Sequence, residues 1–248
     1  MGAPAELALG GPEEDALGRA DLSTWFNPFL AYFARDTRRC GGEVRLLRDA
    51  GEVNGLVIAD AAERVATVFT RSSELAATTV RDRGSLGMFA EFPAEPAADP
   101  FDVFERLLGE ETPTFRFGHA VRALVPEDLP TVRALMREVY RFVNDRWFVG
   151  LPNRSETGFV AEVEGRLAGV GWVTLVGPHA RLHSLTVRVP FRRMGLGSDL
   201  VRARVWWAQR NGARRVVSEI ARGNTDSQAI AERVGMQRVG TIYFHRAR

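Results

Sequence analysis

Residues 185–197 read Leu185-Thr186-Val187-Arg188-Val189-Pro190-Phe191-Arg192-Arg193-Met194-Gly195-Leu196-Gly197, and this stretch decides the fold. The alternation before it predicts a strand over 182–187, and the amphipathic pattern after it predicts a helix over 198–209. A strand therefore runs into a turn with glycines at alternate positions, and a helix starts at once. Such a turn exposes successive backbone N–H groups, and the helix start adds unpaired donors and the positive end of the dipole. Together they suit an anion as large as a diphosphate. Arg192 and Arg193 add charge beside Gly195 and Gly197, whose missing Cβ atoms let the backbone approach a ligand. A short glycine pattern alone more often marks a plain turn; its place between strand and helix gives it weight.

Working outward from the turn, the pattern predicts strands over 120–124, 159–163, 167–176, 216–220 and 239–244. Helices are predicted over 126–143 and 225–234. Glu164 and Gly165 join two of the strands as a tight hairpin, and Gly235 stops the second helix. The order β, α, β, β, β, α, β, α, β is an α+β layer with a mixed sheet. Upstream, residues 1–20 read as a disordered tail rich in Ala, Gly, Pro and Glu. Residues 21–112 read as a smaller α/β domain, with strands over 44–47, 56–59, 65–69 and 88–92 and a helix over 101–108. The Pro-rich stretch 93–100 and the polar residues 109–113 are the boundary candidates, so the main domain spans 113–248.

The residues around the turn resemble the GNAT superfamily of acyl-CoA N-acyltransferases. The Leu185-to-Val187 step, Pro190, and the run from Arg192 to Gly197 match its first signature; Asn224 and Gly235 match its second. The resemblance covers about residues 117–247, and implies a splayed mixed sheet flanked by helices that uses acetyl-CoA as acyl donor. By this resemblance Leu185, Thr186 and Val187 pair with the pantetheine arm, and the amides from Arg193 through Met194, Gly195, Leu196 and Gly197 to Ser198 hold the diphosphate. Asn224 reaches the pantetheine or the splayed strand, with Ser227 one turn further on; as residues alone, Asn224 is equally a helix N-cap. The region before residue 113 is compatible with a degenerate half of the same fold, with a dimerisation element or with a substrate sensor.

Acyl transfer to an amine needs a base, an oxyanion donor and a proton for the departing thiolate. Glu219 is similar in position to the proposed base glutamate of the family members that acetylate protein N-termini. The alternative for Glu219 is an ordinary acid pairing with Arg222 or Arg193. His183, on the strand before the turn, is the second candidate base. The family commonly places a Tyr seven residues after the Asn, but Ala231 stands there, and Met236 replaces the usual Phe after Gly235. Tyr243 is the candidate substitute donor. These residues leave two readings: an acetyltransferase acting on a small-molecule or peptide amine, or a CoA-binding regulatory module without turnover. Acceptor loops are expected at 140–153, where Arg141, Asp145, Arg146, Trp147 and Phe148 mix polar and aromatic character, and at 240–245.

Composition narrows the classes. At 248 residues, 45% hydrophobic and 26% charged, the chain has an ordinary globular make-up. No apolar run approaches the ~18–20 residues of a membrane span. The acids Glu6, Glu13, Glu14 and Asp15 precede the first Arg, unlike a secretory signal. The single cysteine, Cys40, supplies neither a disulfide nor a thiolate cluster, so the expectation is a cytoplasmic protein without a metal. Net charge is −8 over residues 1–110, zero over 111–180 and +10 over 181–248, so an anion belongs at the C-terminal end. All 33 basic residues are Arg, most simply through genome composition. They spread over helix, turn and strand without interleaved aromatics, which argues against a nucleic-acid surface. A homodimer is compatible with the sequence.

Overall fold

Consecutive residues of a strand point to opposite faces, so a continuous apolar run needs a layer on each side of its sheet. Residues 103–240 are built on this rule. The structure, a computed structural model, describes residues 11–50, 52–60, 65–82, 87–93, 98–110, 115–140, 143, 148, 151 and 155–246. It divides into two units, Met1–Asp102 with Thr241–Arg248, and Val103–Gly240.

In the second unit, β6 (Ala120–Ala123), β7 (Glu156–Val163), β8 (Arg166–Val176) and β9 (His179–Val187) follow one another as antiparallel neighbours. The β7–β8 turn has Glu164 at φ 50° and Gly165 at φ 72°, the left-handed pair of a type I′ hairpin. Helix α4 (Leu129–Val139) covers one face, and its Val132, Leu135 and Met136 pack on Val160, Val170 and Trp172. Helix α5 (Leu196–Arg210) covers the other, with Leu196, Leu200 and Ala203 against Ala161, Val173 and Leu182. The neighbours Val160 and Ala161, and Trp172 and Val173, thus serve different cores. After α5, β10 (Arg215–Ala221) returns parallel to β9, and α6 (Thr225–Arg233) leads into β11 (Gln237–His245).

In the first unit, α1 (Gly11–Arg19) buries Leu17 and α2 (Leu30–Arg39) buries Leu30 and Ala34. Pro28 opens a single 3₁₀ turn before α2, where its fixed φ and absent N–H cost nothing. Phe26, Phe29, Phe33 and Phe69 pack ring against ring at centroid distances of 5.7–6.4 Å. Strands β1 (Glu43–Asp49), β2 (Glu52–Asp60) and β3 (Val65–Phe69) are antiparallel, and α3 (Ser73–Asp82) crosses to β4 (Gly87–Ala90), parallel to β3. The last residues of β11 pair with β4, Tyr243 opposite Ala90.

Three expectations differ from what is observed. The stretch expected as helix 101–108 is strand β5 (Asp99–Leu107). Its successive residues Asp102, Val103 and Phe104 are all buried, so both faces are covered, and a two-sided strand shares its short apolar run with a buried helix. Because β5 runs from one unit into the other, the division falls at Asp102/Val103, not at residue 112. Of the expected tail 1–20, residues 11–19 are helical, and Leu17 is the apolar residue that anchors them.

Candidate active site

β9 and β10 are in parallel register at only three pairs, the last being Val217 with Arg181. One residue further on, Ser218 Oγ donates to the Leu182 carbonyl at 2.9 Å, a side chain taking the place of a ladder bond. Beyond it the register between the two strands ends. Their separation coincides with a bulge on the other edge of β9. The β8–β9 register slips between Val170 and Trp172, which face Thr186 and His183, so Ser184 and Leu185 stand against Gly171 alone. Ser184 takes φ 51°, a left-handed conformation that costs a non-glycine residue about 1 kcal/mol or more.

Arg204, on α5, fills this bulge. It is 1% exposed, and its Nε donates to the Leu200 carbonyl at 3.1 Å while a terminal nitrogen donates to the carbonyls of Trp172 (3.0 Å) and His183 (3.1 Å). Gly171 makes room for it, since a Cβ there would lie 2.9 Å from the Arg204 guanidinium carbon. Burial pulls the Arg204 pKa down to about 9, the cost of desolvating a cation met by carbonyl dipoles. An Arg on an otherwise apolar helix stripe reads from sequence as a solvated residue, so this contact was not legible there.

The turn of residues 188–195 lies open. Arg192, Arg193, Met194 and Gly195 are exposed, and Arg193 and Gly195 have φ 64° and 95°. No side chain caps α5, and Asp199 N is the first amide to find an acceptor, Gly195 O at 3.1 Å. Among the described residues, the amides from Arg193 to Ser198 have no protein acceptor. Six donors at the positive end of a helix fit a diphosphate, and the nucleotide part of CoA is such a group. Leu185 and Val187 pack on the α5 core, while Thr186 is buried with its hydroxyl unpartnered. Arg192 Nε returns to the Val187 carbonyl at 3.1 Å, and exposed Arg193 pairs with Asp226 at the start of α6 at 3.2 Å. Gly197 has a different use from Gly195: a Cβ there would meet Ile230 Cδ1 at 3.0 Å, so it sets the close approach of α5 to α6. Asn224 is the N-cap of α6, its side chain accepting from Ser227 N at 3.2 Å.

On the face of the sheet opposite α5, a polar cluster follows the bulge. His183 Nε2 lies 3.1 Å from Glu156 Oε1 and 3.1 Å from Thr174 Oγ1, and its Nδ1 lies 3.2 Å from Ser184 Oγ. Glu219 is engaged by Arg181, two residues before His183, through both carboxylate oxygens, a different partner from the Arg222 or Arg193 that sequence suggested. Glu156 and Thr174 carry no sequence signal of their own; they meet His183 only through the β7–β8–β9 register. Tyr243 lies in the first unit, opposite Ala90. Ala231 is buried in the α5 core. Of the expected acceptor loop, Arg141, Asp145, Arg146 and Trp147 lie outside the described residues, and Phe148 is core, packed on Trp172.

A mixed sheet that parts after three parallel pairs, with an uncapped, glycine-opened helix beside the parting, is the architecture of the acyltransferases the sequence resembles. Residues 121–236, just under half of the chain, match the acetyltransferase (GNAT) family model. The solved structures agree on the fold. A tandem GNAT protein from the clavulanic acid biosynthesis pathway is 17% identical, with a TM-score of 0.63 over 94% of this chain and 93% of its own. A GCN5-related N-acetyltransferase from Kribbella flavida gives 13% identity and a TM-score of 0.59 over 84% of this chain and 94% of its own. One from Sphaerobacter thermophilus gives 16% and 0.59 over 79% and 76%. The first of these matches extends over both units. No curated protein matches the chain. No described helix is long and apolar enough to cross a membrane.

Proposed function

We propose that the second unit transfers an acetyl group from acetyl-CoA to a primary amine of a small molecule or peptide. The observation that carries this reading is the run of open amides from Arg193 to Ser198 at the end of β9. In this reading those amides bind the diphosphate, and Leu185 to Val187 align the pantetheine arm along the freed edge of β9. Bound acetyl-CoA supplies an activated acyl carbon and a thiolate leaving group. Glu219 and His183, on the sheet face opposite α5, are the groups able to take the amine's proton in this reading. The family's usual Tyr position holds buried Ala231, which favours, as the second reading, a CoA-binding module without turnover.

The two readings separate in one assay. Full-length protein with acetyl-CoA and a panel of primary amines should release free thiol above the rate of hydrolysis. Calorimetric binding of CoA with no thiol release for any amine would select the module, and no binding at all would remove both. The expected cytoplasmic, metal-independent character belongs to the same reading, and activity that survives a chelator would accord with it.

A further inference from the structure

We propose that Ser184, His183 and Glu156 form a proton relay that deprotonates the acceptor amine at the gap between β9 and β10. The proposal rests on the acyl-transfer reading and names the groups that would move its proton.

In a regular strand, neighbours such as His183 and Ser184 point to opposite faces. Here Ser184 is left-handed, φ 51°, and its hydroxyl comes within 3.2 Å of His183 Nδ1. The bulge thus turns a serine to the side of its own neighbour. His183 Nε2 lies 3.1 Å from both Glu156 Oε1 and Thr174 Oγ1; because a carboxylate can only accept, the relay requires the ring proton on Nε2. Nδ1 is then the acceptor, and Ser184 donates to it. Glu156 is 7% exposed, so its hold on the ring is little diluted by water. Around the relay stand Thr174 from β8, the Arg181–Glu219 pair from β9 and β10, and the Arg204 guanidinium from α5 on the His183 carbonyl.

Position along β9 brings the relay to the reacting atoms. The diphosphate is read at residues 193–198 and the pantetheine arm along 185–187, so the arm runs back up the strand and its sulfur end arrives beside Ser184. As the amine nitrogen bonds to the acyl carbon and the carbon–sulfur bond breaks, the amine proton passes to Ser184 Oγ and the hydroxyl's own proton passes to His183 Nδ1. The imidazolium stays bonded to Glu156 through Nε2–H. The same hydroxyl returns the proton to the departing sulfur, which supplies the donor that Ala231 cannot. Ser184 is the catalytic residue of the three; His183 and Glu156 act through it.

The test uses full-length protein with acetyl-CoA and two acceptors, strongly basic ethanolamine and weakly basic methoxyamine, which is already neutral in the assay. General acid–base groups contribute about 10²–10⁴-fold, so Ser184→Ala and Glu156→Gln should lower kcat roughly 100-fold for ethanolamine and for methoxyamine alike, since each must lose a nitrogen proton as the carbon–nitrogen bond forms, with CoA affinity unchanged by calorimetry. Ser184→Gly, which suits the left-handed backbone, should repeat the loss and rule out misfolding as its cause. In the free protein, nitrogen NMR should find His183 protonated on Nε2, and Glu156→Gln should disturb that tautomer. A Ser184→Ala variant with an unchanged rate for either amine, a Ser184→Gly variant with the wild-type rate, or a proton on Nδ1 would overturn the relay. Wild-type protein that binds CoA yet acetylates neither amine would overturn it too, whereas failure to bind CoA would sink the acyl-transfer reading itself.

Discussion

The two units contain the same strand–helix–strand crossover, and they finish it differently. In the first, β3 passes through Thr70, Arg71 and Ser72 into α3 and returns as β4, parallel over three residue pairs. In the second, β9 passes through the glycine turn into α5 and returns as β10, also over three pairs. Yet the start of α3 is closed by its own residues. Ser72 Oγ accepts from Leu75 N at 3.1 Å, Ser72 O accepts from Ala76 N at 3.0 Å, and Thr70 Oγ1 accepts from Ser72 N at 3.1 Å. The start of α5 has no side-chain cap and has Gly195 at φ 95°. The strands differ likewise: β3 pairs with β2 without a slip, whereas β9 bulges against β8. On the proposed reading, a crossover becomes a nucleotide site when the cap is left out and the strand is bulged, whereas a serine cap and a straight strand make the same topology into scaffold.

The largest way to break this contrast is at the open helix start. Gly195→Asp places a carboxylate among the donors and forces a side chain onto a left-handed backbone, where its Cβ would already lie 3.6 Å from His119. Acetyl-CoA affinity by calorimetry should fall by at least roughly 100-fold, about 2.7 kcal/mol. The bulge comes next. Arg204→Met leaves the carbonyls of Trp172 and His183 without their donor, at about 1–3 kcal/mol for each unsatisfied group. Thermal unfolding should shift down and CoA affinity should drop with it. Gly171→Ala crowds the same guanidinium from the other side, and should cost about 1–3 kcal/mol of stability.

Smaller effects sharpen the comparison. Glu219→Gln should lower kcat by only about tenfold, since Arg181 already occupies the carboxylate, against the larger loss expected for acid–base groups in direct line. Ser72→Ala in the first unit should cost about 1 kcal/mol of stability, the usual worth of a side-chain cap. It should leave CoA binding unchanged, because opening a helix start without a glycine turn or a bulge makes no site.

What sequence conveyed, it conveyed through local signals. The order of elements from residue 120 onward follows from apolar alternation punctuated by Glu164-Gly165, Gly177-Pro178 and Gly235, and each of these glycines does take positive φ. The open turn at 192–197 was visible for the same reason. Helix α3 went unseen because its buried face is only Ala76 and Thr79, too slight a stripe to mark a period. The bulge, the buried Arg204 and the Glu156–His183 contact were illegible for another reason. Each is set by register between strands, or between helix and strand, and no residue type announces it.

The central claim is that the amides of residues 193–198 hold a diphosphate, and hydrogen exchange measures those amides directly. Saturating acetyl-CoA should slow exchange across 193–198 relative to the free protein, while S-acetylpantetheine, which lacks the diphosphate, should leave that segment unchanged. Acetyl-CoA that binds by calorimetry and yet leaves exchange over 193–198 as fast as in the free protein would contradict the account.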